Sequence, residues 1–264
     1  MTHLNKNLIY IVNIDDPTAK LSVSEYAQYS IKTWQWYCDK HGIDLLVVDK
    51  NLDPRLNKPI WNKEMIYNFG KGYEKIGIVD SDTMIKWDAP NVFDLIDPKK
   101  FYGVNDLCDL NWLMGSIRDR QRFFPNTTMD IFKYINAGVL FFGNENLYVF
   151  ESLLNLYLLR QSEIESIDGG GKEQTLLNFT LQSLNVDIEL LSPAWNLLSI
   201  HRKNMFTNNW QLYPELRDGV RYNEPKSFPH FMKYAYVWHF TGFPIEDRIS
   251  VMSTVWDLIK GNYI

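Results

Sequence analysis

The chain has 264 residues, of which 45% are hydrophobic and 22% charged, so it is long and apolar enough to form a substantial core. Its formal net charge of −5 argues against a general nucleic-acid-binding protein, which usually presents a basic surface. The two cysteines, Cys38 and Cys108, are too few for a disulfide framework and favour a reducing compartment. The N-terminal residues form no signal-peptide pattern, and no apolar run approaches the about 18 residues of a membrane-spanning helix. We therefore expect a cytoplasmic protein without a transmembrane segment.

The first eighty residues alternate short apolar runs with helical patterns. The apolar runs predict strands at 8–12, 44–48 and 75–79, and the intervening segments predict helices at 22–38 and 61–70. This order predicts a parallel sheet with crossover helices. Acidic residues follow the first and third strands, at the sheet edge where open α/β folds bind ligands.

The rest of the chain is less regular. Residues 105–134 are polar and aromatic without a clear period, and an Asp-Gly-Gly-Gly loop begins at Asp168. The remaining patterns predict short helices or strands at 91–95, 101–104, 137–142, 145–161, 173–184, 186–190, 236–240 and 251–259. No repeat or linker divides the sequence, so we expect one domain spanning 1–264.

The triplet Asp80-Ser81-Asp82 directly follows the third predicted strand. Residues i and i+2 of an extended segment point to the same side, so both carboxylates can converge on one cation. Hard oxygen ligands suit Mg²⁺ or Mn²⁺, which commonly bridge protein carboxylates to substrate phosphates. The alternative is a solvated turn, because such triplets are frequent by chance.

Five places in one order resemble a known family. They are Lys63, seventeen positions before Asp80, and the segments Ile78-Val79-Asp80-Ser81-Asp82-Thr83, Asn136-Ala137-Gly138-Val139-Leu140, Glu173-Gln174-Thr175-Leu176-Leu177-Asn178 and His239-Phe240-Thr241-Gly242. Together they resemble the retaining glycosyltransferases of family 8, which include glycogenin and lipopolysaccharide galactosyltransferases. The resemblance spans residues 8–243.

The resemblance implies a GT-A fold, which is an α/β fold with a mixed, mostly parallel central sheet flanked by helices. Its Rossmann-like, nucleotide-sugar-binding half would be about residues 1–104, and its acceptor-binding half about 105–264. It also implies a UDP-sugar donor, with UDP-glucose or UDP-galactose favoured, and a carbohydrate or glycan acceptor. The 15% aromatic content suits such an acceptor, because aromatic rings stack on sugar faces.

Site residues carried over from the family fall into three groups. The implied ligands of Mn²⁺ or Mg²⁺ are Asp80, Asp82 and His239. The implied catalytic residues are Gln174, Glu173 and Asn136. The implied donor-binding residues are Asp15, Asp16, Lys63, Asp80, Ser81, Asp82, Asn136, Ala137, Glu173, Gln174 and Gly242. The small residues after Asn136 would let a ligand approach the backbone, and a histidine without the neighbouring carboxylates would more often be a core residue.

The sequence departs from the family at two places. Glu173 stands where an aspartate is usual, which places the sugar contact in question, and Asp168 is a further candidate for it. The family's Lys-Pro-Trp segment, whose lysine contacts the diphosphate, is missing after Gly242. Arg248 or Lys233 can supply that charge.

The resemblance predicts a retaining transfer in which the acceptor attacks from the face that the nucleotide leaves. Gln174 or a nearby backbone carbonyl would stabilise the positive charge, and residues 105–134 and 195–235 would shape the acceptor pocket. Two alternatives remain open. Asp80 and Asp82 also fit a haloacid-dehalogenase-like phosphatase, and the departures fit a non-catalytic nucleotide-sugar-binding protein.

Overall fold

The computed structural model describes residues 5–15, 22–107, 109–168, 171–198 and 235–263. The strands there are β1 (Asn7–Val12), β2 (Asp44–Val48), β3 (Lys75–Asp80), β4 (Thr83–Ile85), β5 (Phe101–Asn105), β6 (Ile135–Gly143), β7 (Ile188–Leu190) and β8 (Val237–His239). The helices are α1 (Ser24–His41), α2 (Ile66–Phe69), α3 (Leu110–Arg120), α4 (Leu147–Glu165), α5 (Lys172–Ser183) and α6 (Ile245–Ile259). None of these helices combines the length and apolar character needed to cross a bilayer.

Six strands form the central sheet in the order β2-β1-β3-β6-β5-β7. β1 pairs in parallel with β2 and β3, and β5 pairs in parallel with β7. β6 lies antiparallel between β3 and β5, so five of the six strands run in one direction. The predicted α/β class with a mixed, mostly parallel sheet is confirmed. The carboxyl ends of β1, β3 and β5 meet at one edge, where β6 begins.

Both faces of the sheet are covered, which explains the continuous apolar runs of its central strands. Successive side chains of β1 point to opposite faces. Tyr10 joins a core cluster with Phe150 and Tyr157 of α4. Ile11 joins a second cluster with Trp34 of α1, and Tyr37 lies in the same cluster. The sheet is therefore a rigid, doubly covered platform for the residues at its edge.

The segments 61–70 and 105–134 differ in the structure from what the sequence indicates. The helix expected at 61–70 is instead a 3-10 turn at Pro59–Lys63 followed by the single turn of α2. Tertiary hydrogen bonds hold this shape, because the Tyr10 hydroxyl donates to the Asn62 carbonyl and the Asn62 side chain accepts from the Leu52 amide. The segment 105–134 contains α3, whose N-terminus is capped by Asp109. Exposed apolar residues on α3 obscure its helical period.

β8, from the C-terminal segment, pairs antiparallel with β4 in a second, two-stranded sheet, with Thr83 opposite His239. β4 was not predicted. It is fixed to α1, because Trp34 donates its indole hydrogen to Thr83 Oγ1 (2.9 Å) and the Ile85 amide donates to Thr33 Oγ1 (3.2 Å). α6 begins at Ile245, six positions before the predicted start at 251. The small sheet thus brings the turn after β3 next to His239.

Candidate active site

Two carboxylates and one imidazole converge at the carboxyl edge of the central sheet. Asp80 ends β3, Asp82 lies in the turn before β4, and His239 ends β8. His239 Nε2 lies 3.1 Å from Asp82 Oδ1 and 3.8 Å from Asp80 Oδ2. One ligand atom from each residue lies within 4.8 Å of the other two, a group that is able to hold a metal ion.

The glycine of β6 beside this group makes room for it. A Cβ atom on Gly138 would overlap His239 Cε1 and would lie 2.8 Å from Asp80 Oδ2 and 3.0 Å from Asn136 Oδ1. From the sequence, the missing side chain was expected to leave space for a ligand to approach the backbone. In the structure that space is taken by His239 and Asp80 themselves.

A buried lysine lies beside Asp80. Lys63 Nζ is 2.5 Å from Asp80 Oδ1 and 3.8 Å from Glu173 Oε2, and it donates to the Ala137 carbonyl at 3.3 Å. Burial by itself lowers the pKa of Lys63, but the two carboxylates outweigh it and raise the pKa above its ordinary value. The site therefore holds a fixed positive charge on the side of Asp80.

An arginine from α6 lies beside Asp82. Arg248 Nη1 is 3.2 Å from Asp82 Oδ2, and Arg248 Nη2 donates to the Phe243 carbonyl at 3.2 Å. The guanidinium also lies over the ring of Tyr26. Burial raises the pKa of Asp82, but His239 and Arg248 outweigh this effect and lower it to about 2. Arg248 Nε is buried without a hydrogen-bond partner among the described residues.

The side-chain amides of Asn136 and Gln174 meet over the start of β6. Gln174 Oε1 accepts from Asn136 Nδ2 (3.0 Å) and from the Ala137 amide (3.1 Å). Both side chains also donate to Asp106 Oδ2, each at 3.1 Å. Asn136 Oδ1 accepts from the Gly138 amide (2.8 Å) and from Asn196 Nδ2 (2.9 Å). The predicted residues are thus fixed by two others, Asp106 and Asn196.

Two glutamates are buried behind Lys63. Glu173, at the start of α5, is 2% exposed, and Glu64 is fully buried. Burial is the main cause that raises the pKa of Glu173 to about 7, partly opposed by the charge of Lys63. Burial and the neighbouring Glu173 raise the pKa of Glu64 well above its ordinary value. Both Glu64 oxygens lack a hydrogen-bond partner in the described part of the chain.

The remaining predicted residues lie at the margin of this group. Both oxygens of Asp15 accept from the Ser22 hydroxyl at 2.8 Å, and Oδ1 accepts from the Val23 amide, which ties Asp15 to the start of α1. Ser81 lies in the turn between the two aspartates, and Gly242 has a φ of +80° in the turn after β8. Asp168 is exposed in the loop before α5. Asp16 and Lys233 lie outside the described residues.

No family model matches this sequence, and no curated protein matches it either. Solved structures do match. One is a glycosyltransferase involved in the glycosylation of the major capsid of PBCV-1, with a TM-score of 0.57 and 14% identity. The match covers 94% of this chain and 100% of that glycosyltransferase. The bifunctional glycosyltransferase WbbM matches 96% of this chain with a TM-score of 0.61 and 13% identity. The protein has a GT-A-like fold.

A third match is the glycosyltransferase GlyE of Streptococcus pneumoniae TIGR4, which covers 98% of this chain with a TM-score of 0.51 and 12% identity. The chain spans 51% of the length of WbbM and 63% of that of GlyE. At these identities the GT-A-like fold is what the matches establish.

Three residues of this site were not predicted from the sequence, namely Asp106, Glu64 and Asn196. Asp106 follows β5 at the same edge as Asp80, and the rule that locates ligands at strand ends identifies it once β5 is placed. Glu64 directly follows Lys63 in the sequence, but its carboxyl group is recognised as buried only from its surroundings in the fold. Asn196 lies in a loop between β7 and β8, and no sequence signal distinguishes it.

The raised pKa of Glu173 predicts how stability depends on pH. The folded protein keeps a proton that the unfolded chain has lost, so the free energy of unfolding falls as pH rises from about 4.5 to about 7. The Glu173→Gln variant has no such proton. We expect the free energy of unfolding of this variant to match that of the wild type near about pH 4 and to exceed it by about 3 kcal/mol above about pH 8.

Urea unfolding of the metal-free protein at several pH values measures this difference. Glu151→Gln changes an exposed glutamate of α4 and serves as the control. Parallel pH profiles for the wild type and the Glu173→Gln variant would contradict the assignment.

Proposed function

We propose that this protein is a metal-dependent glycosyltransferase that moves a hexose from a UDP-sugar to a carbohydrate or glycan acceptor with retention of configuration. The observation that carries the proposal is the Asp80–Asp82–His239 group at the carboxyl edge of a GT-A-like sheet. UDP-glucose and UDP-galactose are the favoured donors. The fold supports glycosyl transfer, and the site residues support the metal, the UDP-sugar donor and the retention of configuration.

The side chains fit a divalent cation of the Mn²⁺ or Mg²⁺ type. Two carboxylates and an imidazole provide hard oxygen ligands and one nitrogen, a set that suits Mn²⁺. His239 Nδ1 lies 2.9 Å from Asn196 Oδ1, so Nε2 is the nitrogen directed at the carboxylates. When bound, the cation neutralises charge on the diphosphate leaving group.

Lys63 and Arg248 are the groups that this chain offers to the diphosphate. Each now neutralises one aspartate, and a divalent cation on Asp80 and Asp82 would take over that role. The two basic side chains would then be free to bind phosphate oxygens, for which guanidinium and ammonium groups are well suited. Arg248 is thereby the substitute for the family lysine that this sequence lacks. Its buried Nε is a further donor for an anionic ligand.

The donor sugar would lie against Asn136, Glu173 and Gln174. Carboxylate and amide groups bind sugar hydroxyls as acceptors and donors. Gln174 is held by hydrogen bonds to Asn136, the Ala137 amide and Asp106, so its position relative to the anomeric carbon is fixed before the donor binds. A fixed dipole near developing positive charge stabilises a transition state without reorganisation.

The acceptor is proposed to bind on the half formed by about residues 105–264, with about 1–104 binding the nucleotide. Trp112 of α3 is 36% exposed and lies against Gly171, two positions before Glu173. An exposed indole at this place offers a stacking surface for a sugar ring. Residues 105–134 therefore remain the proposed wall of the acceptor pocket.

The observations favour a transferase over the two alternatives. A phosphatase of the haloacid-dehalogenase type requires the two aspartates but gives no role to His239, which here approaches both. A non-catalytic binding protein has no need for the network that fixes Gln174. The phosphatase reaction is tested by phosphate release from simple phosphomonoesters.

Neutralising Arg248 is expected to weaken nucleotide binding. In the Arg248→Gln variant, UDP loses one charge-assisted partner, and we expect its dissociation constant in saturating Mn²⁺ to rise about tenfold, which is about 1.4 kcal/mol. Arg118→Gln removes an exposed arginine of α3 and is the matched control. Calorimetric titration with UDP measures both, and unchanged UDP binding by Arg248→Gln would remove this residue from the donor site.

The proposed reaction is tested by incubating the protein with Mn²⁺ and either UDP-glucose or UDP-galactose in the presence of a panel of saccharides. We expect metal-dependent UDP release that His239→Ala eliminates, with NMR showing the donor's anomeric configuration in the product. An inverted product would exclude the retaining mechanism. Donor binding without turnover for any saccharide would favour the binding protein.

A further inference from the structure

A chain of hydrogen bonds connects the backbone of β6 to the imidazole of His239. The Gly138 amide donates to Asn136 Oδ1 at 2.8 Å, and Asn196 Nδ2 donates to the same oxygen at 2.9 Å. The other end of the Asn196 side chain, Oδ1, lies 2.9 Å from His239 Nδ1. The Gly138 amide is therefore linked to His239, a candidate metal ligand, through two side-chain amides.

The donor-to-acceptor direction of these hydrogen bonds follows from the first of them, which the Gly138 amide donates. A backbone N–H can only donate, so the Asn136 atom that faces Gly138 must be the oxygen. The Asn196 atom that faces this oxygen must then be the nitrogen, which leaves the Asn196 oxygen toward His239. An acceptor at that position requires a proton on Nδ1 of the neutral imidazole.

We propose that Asn196 is a positioning residue that holds neutral His239 in the tautomer protonated at Nδ1, so that the Nε2 lone pair is directed at the gap between Asp80 and Asp82. The inference deepens the proposed function, because it rests on that gap being the metal site. In this proposal the Gly138 amide sets the orientation of all the hydrogen bonds that lead to His239.

A second branch of the network supports the same orientation. The Ala137 amide donates to Gln174 Oε1, so this atom too must be an oxygen. Asn136 Nδ2 donates to the same Gln174 oxygen and to Asp106 Oδ2. The Asn136 amide is thus oriented by backbone or carboxylate groups on both of its ends, and turning it over would break contacts on each side.

Burial makes the orientation costly to change. Asn196 is 1% exposed and His239 2%, so bulk water cannot replace a lost partner. A buried polar atom without a partner is strongly unfavourable, more so than an imperfect hydrogen bond. Partners of this kind behind a metal-ligating histidine typically change metal affinity by about 10–100-fold.

The tautomer is measured directly on the metal-free protein. Long-range ¹H–¹⁵N spectra of ¹⁵N-histidine protein, recorded at a pH where the His239 signals no longer change with pH, distinguish the two nitrogens of the neutral ring. The His239 signals are assigned by their loss in His239→Gln. We expect Nδ1 to carry the proton in the wild type, and a dominant Nε2–H form would overturn the proposal whether or not the protein binds metal.

Variants test whether Asn196 is the cause. We expect Asn196→Ala to populate the Nε2–H tautomer and to weaken Mn²⁺ binding about 10–100-fold, whereas Asn196→Asp keeps an acceptor and retains the tautomer. Asn146→Ala removes another buried asparagine, which donates to the Pro98 carbonyl, and controls for lost packing. Wild-type tautomer populations and Mn²⁺ affinity in Asn196→Ala would contradict the proposal.

The readouts separate this inference from the proposed function. Absence of Mn²⁺ binding by the wild-type protein would refute the metal site and leave the tautomer result standing on its own. If Asn196→Ala does not fold, the His239 tautomer in the wild-type spectrum still decides the direction of the hydrogen bonds between Gly138 and His239.

Discussion

Replacing Asp82 by asparagine is expected to abolish the metal-dependent binding of nucleotide. The substitution keeps the shape of the side chain but removes the negative charge that faces His239 Nε2 and Arg248 Nη1. Since the pKa of Asp82 is lowered to about 2, this group is ionised throughout the neutral range and its charge is part of the site. We expect the dissociation constant of UDP in Mn²⁺ to rise at least about 100-fold, or about 2.7 kcal/mol.

The same calorimetric titration on Asp88→Asn provides the control. Asp88 lies near β4, pairs with Lys86 at 3.0 Å and is largely exposed, so its loss changes the net charge equally without touching the site. Exposed ion pairs of this kind contribute at most about 1 kcal/mol. Equal UDP affinity in the Asp82→Asn variant and the wild type would show that the carboxylate is not a metal ligand.

Adding one methyl group at Gly138 is expected to disable the site without removing any of its functional groups. The new Cβ overlaps His239 Cε1 and lies 2.8 Å from Asp80 Oδ2. β6 is a central strand paired on both sides, so its backbone cannot retreat. We expect Gly138→Ala to lower the free energy of unfolding by about 1–3 kcal/mol and to eliminate Mn²⁺ binding, because the imidazole and carboxylate are forced apart.

Gly115→Ala is the matched control for this change. A Cβ at Gly115, in α3, has no atom within 4 Å among those described, and alanine is favoured over glycine in a helix by about 1 kcal/mol. We therefore expect it to be neutral or stabilising. Thermal unfolding and Mn²⁺ titration measure both variants. Full Mn²⁺ affinity in a folded Gly138→Ala protein would contradict the described packing of His239 against β6.

Much of the fold was predictable because its main strands are buried on both faces. β1 and β3 are continuous apolar runs, and the helical pattern between them ends at Gly42, which caps α1 in a left-handed conformation. Such patterns depend on local sequence alone. The strands of the central sheet were each predicted to within about two residues, which is the usual uncertainty of element boundaries.

What was not predictable depends on contacts between distant parts of the chain. The broken helix after Trp61 is set by Tyr10, and β4 exists because β8 pairs with it. Neither partner is visible in the local sequence. The same holds for Asn196, whose role is defined only by its contacts with Asn136 and His239.

Most of the residues that the structure places in one group were predicted from the sequence motifs. The order of the short motifs, rather than any one of them, located Asp80, Asp82 and His239. Asp15 differs, because the structure uses its carboxylate at the start of α1 and its proposed contact with the donor stays a prediction. The motif pattern also contained no information on Glu64, because a buried carboxyl group is recognised only from its surroundings.

A calorimetric titration of the purified protein with UDP, UDP-glucose and UDP-galactose, with Mn²⁺ and with EDTA, tests the proposed metal-dependent donor site most directly. We expect binding that requires Mn²⁺ and is lost in the Asp82→Asn and His239→Ala variants. Nucleotide binding that is equally tight in EDTA, or no binding of any of the three ligands in Mn²⁺, would contradict a metal-dependent UDP-sugar site.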